Sequence, residues 1–254
     1  MHRFFVPHKL IVGTTVELSN DVLRHLRTVL RLPAGGECEL LDGNGTVAKG
    51  RIDEDFKISI IGVRQHQEPP CQISLIQGLP KGEKLELVLQ KGTELGITRF
   101  VPTQMVRSVG RLKPEREQKR LKRWEKIVQE AARQSGQAFL PTLQLERRLE
   151  DALATVEADL KLLLWEESDE PLEVVLPEVA PEKISVIVGP EGGITPEEAE
   201  KALSAGYKSV SLGARILRTE TAGLAIVTIL QYLYGDLGKG RCSSNAASQG
   251  KDES

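Results

Sequence analysis

Cysteine is scarce in this chain. Cys38, Cys71 and Cys242 are the only three among 254 residues, and no two of them form a C-x-x-C pair. Three isolated thiols give neither a disulfide framework nor the spacing of a zinc site. We therefore expect that the protein binds no metal, that its thiols are reduced, and that Cys38 and Cys71 are buried.

Long apolar runs are missing as well. No stretch approaches the roughly 18 to 20 residues that a membrane span needs. The opening sequence, MHRFFVPHKL, lacks the apolar core and cleavage site of a signal peptide. With 40% hydrophobic residues, the chain can form one large or two small soluble domains, and we expect it in the cytoplasm.

Two nucleotide-binding signatures are also absent. The sequence has no G-x-G-x-x-G after its first strand and no G-x-x-x-x-G-K-[ST] anywhere. Three of its glycines instead lie within residues 184–193, ISVIVGPEGG, where they follow a short apolar β-branched run. This pattern predicts a strand, a tight turn and a helix with Thr195 as its N-cap. Because Gly189, Gly192 and Gly193 have no Cβ, a ligand can reach the backbone of this turn.

A second stretch follows the same order of elements. Residues 211–222, SLGARILRTETA, end a strand at 208–212, turn at Gly213, and enter a helix to Leu233 that Thr219 or Thr221 would cap. Polar residues crowd this loop: Arg215, Arg218, Thr219, Glu220 and Thr221. Open α/β sheets bind ligands at the carboxyl ends of their strands, which favours a site here. The glycine turns by themselves fit two ordinary βα turns equally well.

The amino-terminal third, to residue 70, predicts a small β-meander or barrel. Its alternating runs indicate three strands, at 36–41, 46–52 and 57–63. A helix at 21–32 interrupts them, and Arg24, Arg27 and Arg31 are spaced i, i+3 and i+7, so that they share one exposed face. Such a row suits phosphate contacts, although a merely solvated face fits the spacing equally well.

Pro69 and Pro70 predict a linker, after which the pattern changes. Strands and helices alternate from residue 71 to 238, which predicts an α/β domain with a largely parallel sheet. We expect strands at 73–77, 100–103, 160–165 and 184–188, and helices at 84–95 and 114–135. Residues 239–254 show no apolar periodicity, so that we expect them to be disordered.

Charge is unevenly distributed along a chain whose net charge is only -2. Residues 81–148 carry 16 Lys and Arg against 8 Asp and Glu, whereas residues 149–200 carry 2 against 15. Pairing at i,i+4 explains part of the charge on residues 111–133. The remaining excess of cations indicates a surface that faces a polyanion.

The two glycine-loop motifs, VIVGPEGGITPEE and LGARILRTETA, resemble those of the ribosomal RNA uracil-N3 methyltransferases, members of the SPOUT class of S-adenosylmethionine-dependent RNA methyltransferases. The resemblance also includes HLRTVLRL and LIQGLPKGEKLELVLQKGTELGI, and excludes only the last fifteen or so residues. It implies a PUA-like RNA-binding β-barrel at 1–70 and a SPOUT α/β domain at 71–238, with a deep trefoil knot at about 184–233. It also implies a homodimer that methylates N3 of one uridine in 16S rRNA of the small ribosomal subunit.

Carried onto this sequence, the resemblance places the cofactor among three strand ends. The implied cofactor contacts are Leu164, Trp165, Glu166, Val188, Gly189, Pro190, Glu191, Gly192, Gly193, Leu212, Gly213, Arg215, Ile216, Leu217, Arg218 and Thr219. Arg218 is the implied catalytic group, because a fixed guanidinium can stabilise charge on the uracil carbonyl oxygens without losing its proton. Glu191 or Glu220 either accepts the N3 proton or orients Arg218. The expected rRNA contacts are Arg24, Arg27, Arg31, Lys81, Lys84, Lys91, Arg107 and Arg133.

One position departs from the family pattern, which often reads QSGR where this chain has Gln137 as its fourth residue. The change removes a possible phosphate or base contact. Two other functions stay open: a related methyltransferase acting on another RNA, such as the ribose 2′-OH of tRNA, and a ribosome-binding or RNA-binding module without activity. The PUA-like domain and the ILRTET loop argue against the first, and the intact glycines and Arg218 argue against the second.

Overall fold

The computed structural model describes residues 1–109 and 114–239. Its amino-terminal part contains a five-stranded sheet in the order β1-β3-β4-β5-β2. The strands are β1 (His2–Phe5), β2 (Thr15–Val16), β3 (Glu37–Leu41), β4 (Thr46–Ile52) and β5 (Ile58–Gln65). Neighbouring strands are antiparallel except β1 and β3, which are parallel. The three strands predicted for this region are confirmed.

The amino-terminal helix is shorter and less regular than predicted. Helix α1 (Asn20–Arg24) continues as a π-helical turn, His25–Val29, and Arg31 follows with a φ of 49°. The prediction of a single α-helical row of arginines is therefore wrong, since a π-turn changes the spacing of side chains and Arg31 lies beyond the helix. Arg24, Arg27 and Arg31 are all exposed, and the guanidinium of Arg27 lies 4.1 Å from the centroid of the Phe56 ring.

The second sheet has six strands in the order β11-β9-β10-β6-β7-β8, and every neighbouring pair is parallel. The strands are β6 (Gln72–Gly78), β7 (Ile97–Thr103), β8 (Thr142–Leu143), β9 (Leu160–Leu164), β10 (Lys183–Val188) and β11 (Lys208–Val210). The predicted α/β class with a parallel sheet is confirmed. Because the strands are parallel, all their carboxyl ends lie along one edge of the sheet.

Helices cover both faces of this sheet. They are α2 (Lys84–Glu94), α3 (Pro114–Ser135), α4 (Leu149–Thr155), α5 (Leu172–Val175), α6 (Pro196–Ser204) and α7 (Thr219–Leu233). Successive strand residues point to opposite faces. Leu75 packs with α2, α3 and α7, whereas its neighbour Ile76 packs with α4 and α6.

Both cysteines within the described residues are fully buried, as predicted. Burial raises the pKa of the Cys38 thiol to about 12 and that of Cys71 to about 11. Both thiols stay protonated near neutral pH and are poor nucleophiles, because thiolates are the reactive form. Cys242 and residues 240–254, nearly all of the predicted tail, lie outside the described residues.

Two sequence-based exclusions concern membranes and metals. No helix within residues 1–109 and 114–239 is long and apolar enough to cross a membrane. The same residues contain no group of three or more His, Cys, Asp or Glu side chains placed to hold a metal ion.

Candidate active site

Three neighbouring strands of the parallel sheet end at the same level. Val188, the last residue of β10, lies opposite Leu164, the last residue of β9, and Val210, the last residue of β11, lies opposite Leu164 on its other side. The loops that follow these strands therefore start side by side. The two loops predicted from the sequence and the loop after β9 lie together at the carboxyl ends of the strands.

The glycine loop, residues 189–193, passes directly from β10 to α6. Its turn is closed by a hydrogen bond of 2.9 Å from the Gly193 N–H to the carbonyl of Pro190. Gly193 has a φ of 77°, and a Cβ there would overlap the Glu166 carboxylate. The hydroxyl of Thr195 then caps α6, and the side chain of Glu198 bonds back to the Thr195 N–H, which confirms the predicted N-cap.

Thr219 links three segments of the chain instead of capping α7. Its hydroxyl donates to the carbonyl of Gly189 and accepts a hydrogen bond of 2.8 Å from Nε2 of Gln77 at the end of β6. Both Gln77 and Thr219 are buried. The predicted cap by Thr219 or Thr221 is wrong, because Arg218 occupies the N-cap position. This buried chain of bonds fixes the start of α7 against the glycine loop.

The loops enclose a cleft of about 1270 Å³. All sixteen residues predicted to contact a cofactor line it, from Leu164, Val188 and Leu212 at the strand ends to Thr219 at the start of α7. The sequence did not identify the part of the wall that lies farther along the connection after β9, beyond Glu166, which includes Ser168, Asp169, Pro171, Leu172 and Leu176. No motif marks that segment, so that only the fold brings it to the cleft.

An indole N–H and a guanidinium are among the polar groups of the cleft that have no protein partner within the described part of the chain. The indole Nε1 of Trp165 is buried without a hydrogen-bond partner, although buried polar groups are nearly always bonded. Arg218 is exposed at the mouth of the cleft, and none of the hydrogen bonds or ion pairs of the described residues involves its side chain. Both groups are free to bind a ligand.

A triad of charged residues lies beside the glycine loop. Nζ of Lys84 is 2.9 Å from Oε1 of Glu191 and 3.5 Å from Oε2 of Glu220. The backbone N–H of Lys81 also donates to both carboxylate oxygens of Glu191, at 3.1 Å each. The partners of these two carboxylates are Lys84 and, for Glu191, also Lys81, and no hydrogen bond or ion pair of the described residues joins either one to Arg218.

Glu191 has the electrostatics of a structural carboxylate. Partial burial acts to raise its pKa, but the hydrogen bonds from Lys84 and from backbone N–H groups outweigh burial, and the pKa lies below the ordinary glutamate value. The pKa of Lys84 is raised, chiefly by its hydrogen bond to Glu191. A carboxylate of lowered pKa is a weak base, which argues against Glu191 as a proton acceptor.

The predicted RNA contacts fall into three places. Lys81 and Lys84 lie at the start of α2, and Arg107 donates a hydrogen bond of 3.1 Å to the carbonyl of Gly192, so that all three adjoin the glycine loop. Lys91 and Arg133 pair within their own helices, with Glu94 and Glu130 respectively. The remaining three, Arg24, Arg27 and Arg31, belong to the amino-terminal part.

Gln137 makes a structural contact. Its side-chain Nε2 donates to the carbonyl of Thr93 at the end of α2. The position that departs from the family pattern therefore joins α3 to α2.

Comparison with known proteins agrees with this architecture. The family model for an RNA methyltransferase domain matches residues 67–231, and the model for an RNA methyltransferase PUA domain matches residues 18–62. The ribosomal RNA small subunit methyltransferase E of Bacillus subtilis is 31% identical over 91% of this chain and 96% of its own length. The protein of the same name from Synechocystis is 34% identical over 87% of this chain and 74% of its own length.

A solved structure shows the same fold. The ribosomal RNA small subunit methyltransferase E of Neisseria gonorrhoeae, crystallised with bound S-adenosyl methionine, superposes with a TM-score of 0.84. It is 35% identical and covers 93% of this chain and 99% of that one. A PUA domain joined to a parallel α/β domain, with a glycine-loop cleft at its strand ends, defines an RNA methyltransferase. Within that class, the chain belongs to the ribosomal RNA small subunit methyltransferase E family.

Proposed function

We propose that the protein transfers a methyl group from S-adenosylmethionine to N3 of a specific uridine in 16S rRNA, acting on the assembled small subunit in the cytoplasm. The observation that carries this proposal is Arg218, an exposed guanidinium with no partner among the described residues, at the mouth of a cleft between three level strand ends. Family membership supports RNA methylation. The cofactor in the related structure from Neisseria supports the methyl donor.

The cleft fits the proposed cofactor in size and in chemistry. Its volume of about 1270 Å³ exceeds the roughly 300 to 1,000 Å³ of most small-molecule sites, which leaves room for a cofactor and a base. The glycine loop and residues 211–218 would hold the cofactor through their backbone groups, and the free indole N–H of Trp165 offers a further donor. The bound cofactor would supply a methyl group on a positively charged sulfur.

Arg218 would act on the substrate base. Loss of the N3 proton places negative charge on the two carbonyl oxygens that flank N3. A guanidinium aimed at these oxygens stabilises that charge and stays protonated itself. The N3 anion then forms the bond to the methyl carbon as the bond from carbon to sulfur breaks. Because opposite charges neutralise each other in this step, a cleft that excludes water favours it.

Glu191 and Glu220 would serve as partners of Lys84 in this mechanism. We infer that the N3 proton leaves to water, since both carboxylates face an ammonium group and Glu191 is a weakened base. Glu191 would hold the start of α2 against the glycine loop, and Glu220 would hold it against the start of α7.

We also infer that segment 184–233 forms a trefoil knot. Strand β11 is at the edge of the sheet, beyond β9, yet α7 starts between the ends of β10 and β6, where Thr219 bonds to Gly189 and Gln77. The chain must therefore cross the ends of β9 and β10 to reach its helix. This crossing, together with the sequence resemblance, supports the knot.

The amino-terminal sheet would be a PUA-like β-barrel that ends near residue 70, where the methyltransferase domain begins. The match of the PUA family model to residues 18–62 supports this assignment. We propose that Arg24, Arg27 and Arg31 of this domain contact rRNA, together with Lys81, Lys84, Lys91, Arg107 and Arg133, which follow the linker. We further propose a homodimer formed through the outer face of α7.

Nucleoside mass spectrometry tests the proposal. Small-subunit rRNA from cells that lack the protein should lose one 3-methyluridine, which the wild-type protein restores and Arg218→Ala does not. Unchanged 3-methyluridine, or a loss of 2′-O-methylated nucleosides from tRNA instead, would contradict the assignment.

A further inference from the structure

We infer that the first two and a half turns of α3 form an RNA-binding arm that extends past the carboxyl ends of the strands, on the side of the cleft; this inference rests on the proposed function. The arm consists of residues 114–122. None of its residues belongs to the cleft or to the RNA contacts expected from the sequence.

The position of the arm follows from the parallel course of α2 and α3. Both helices follow strands of the parallel sheet, so that both start at the carboxyl edge, where the cleft opens. Arg123 binds Glu83 and Glu86, at 3.1 Å and 2.6 Å, and therefore lies level with the start of α2. At a rise of about 1.5 Å per residue, the residues before Arg123 extend roughly 12 Å beyond that start.

The arm is close to the cleft in the plane of the sheet. Strand β7, which leads to α3, is separated from β10 only by β6, a lateral distance of about 10 Å. Arg107, in the connection from β7 to α3, contacts the carbonyl of Gly192 in the glycine loop. A long polyanion entering the cleft would therefore pass the arm.

The charge of the arm is mostly unpaired. Arg116, Lys119, Arg120 and Lys122 are exposed, and the ion pairs and hydrogen bonds of the described residues include none of their side chains. Glu117 is already bound by Arg147 at 2.6 Å, a contact that also braces the arm. The cations thus exceed the acidic groups that are free to oppose them.

One face of the arm lies on the side of α3 that contacts the start of α2. Arg116, Arg120 and Arg123 are spaced i, i+4 and i+7 and lie on one side of the helix. Arg123 uses this side to bind α2, so that Arg116 and Arg120 project above α2. Every exposed side chain of residues 115–122 is polar or charged. Unpaired cations without apolar neighbours suit a phosphate backbone better than a protein interface.

The test compares two double variants that each remove two exposed cations. Arg116→Gln with Arg120→Gln alters the arm. Lys183→Gln with Lys208→Gln alters the first residues of β10 and β11, at the edge of the sheet opposite the cleft. Affinity for protein-free 16S rRNA, KM for isolated small subunits, and the salt dependence of binding are measured for both, with cofactor affinity as a check of the fold.

We expect the arm variant to weaken rRNA affinity and raise KM for subunits roughly five- to tenfold, with kcat and cofactor affinity unchanged. The slope of log affinity against log salt should fall by about 0.7 to 0.9 for each lost phosphate contact. The Lys183 and Lys208 variant should match the wild type. Equal effects of both variants, or no change in either, would overturn the arm as an RNA site.

Two further outcomes would also contradict an RNA-binding role of the arm. A raised KM for subunits with unchanged affinity for protein-free rRNA would assign the arm to a ribosomal protein. A fall in kcat alone would place Arg116 and Arg120 in the cleft chemistry. Failure of the proposed function is distinct, because the wild-type protein would then leave N3 of uridine unmethylated whatever the affinity of the arm variant.

Discussion

At the scale of single residues, Arg218 combines an unpaired charge within the described chain with a position next to Thr219, which is held by buried hydrogen bonds. Arg107 contacts Gly192, and Arg123 and Arg133 bind glutamates, whereas Arg215 in the same loop as Arg218 is unpaired among the described residues as well. The buried hydrogen bonds of Thr219 fix the backbone next to Arg218, and no protein group of the described chain competes for its guanidinium. The start of α7 thus places an unpaired positive charge at the mouth of the cleft.

Replacing Arg218 with alanine should lower the single-turnover rate by roughly 10² to 10³, or about 3 to 4 kcal/mol, the cost of removing one oxyanion-hole donor. Lysine should restore the rate only in part, because a point charge does not reproduce the planar fork of a guanidinium. Arg148→Ala, an exposed site outside the cleft, is the control and should leave the rate unchanged. A fall of tenfold or less in the single-turnover rate of Arg218→Ala would show that Arg218 has a structural role and not a catalytic one.

The charged pair of Glu191 and Lys84 predicts how the stability of this region depends on pH. The pKa of Glu191 is lowered, so that the stabilisation from its ionised form is present above the pKa of the unfolded chain and is lost as pH falls through the folded value. The pKa of Lys84 is raised, so that its contribution is lost only as pH rises through its folded value. The pair therefore stays intact throughout the neutral range.

Glu191→Gln should lower activity by the same factor at pH 6 and pH 8, because it loosens the glycine loop and removes no titrating base. In both proteins the rate should rise with pH as the uracil N3 proton is lost. Single-turnover rates across this range provide the measurement. A rate that is independent of pH in the wild type and rises with pH only in Glu191→Gln would identify the carboxylate as the proton acceptor.

At the scale of elements, the glycine loop depends on a backbone conformation as well as on space. Gly193 has a positive φ, and its missing Cβ leaves room for the Glu166 carboxylate. The sequence suggested that the ligand needs this room, whereas in the structure the protein itself occupies it. A side chain here would strain the turn and displace Glu166 from the cleft wall.

Gly193→Val should therefore abolish cofactor binding measured by calorimetry. Gly206→Val is the matched control, because Gly206 also has a positive φ, of 87°, but has only Lys161 near its missing Cβ. Both variants should lose about 1 to 2 kcal/mol of unfolding free energy from the left-handed conformation. Unchanged cofactor affinity in Gly193→Val would show that the glycine loop is not needed for cofactor binding. An equal loss of cofactor affinity in Gly206→Val would show that the effect is not specific to this loop.

Local elements were predictable because their signals are local. Strand β4 and helix α3 have the predicted bounds, since alternation and the Pro114 start are read over a few residues, and the capping sequence of Thr195 fixed the start of α6. Contacts between distant residues were not predictable. The bond between Gln77 and Thr219 joins residues 142 apart, and that between Lys81 and Glu191 joins residues 110 apart.

At the scale of the whole molecule, α7 presents two different faces. Gly223 faces β6 of the same chain, where a Cβ would lie 3.3 Å from Oε1 of Gln77, so that it does not provide close approach for a partner helix. Its other side exposes Ile229, Tyr232 and Leu233. An exposed apolar strip on a helix indicates a surface that another protein covers. The dimer we propose would use this strip.

Subunit exchange tests both the dimer and the division of labour within it. One variant, Gly193→Val, disables the cleft, and the other, with Arg27 and Arg31 changed to Glu, disables the rRNA contacts of the amino-terminal domain. If the amino-terminal domain of one subunit presents rRNA to the cleft of the other, each mixed dimer contains one working combination, and exchange should restore about a quarter of the wild-type activity. No recovery after verified exchange would show that each subunit works alone. Sedimentation as a 28.0 kDa monomer at working concentration would rule out the dimer itself.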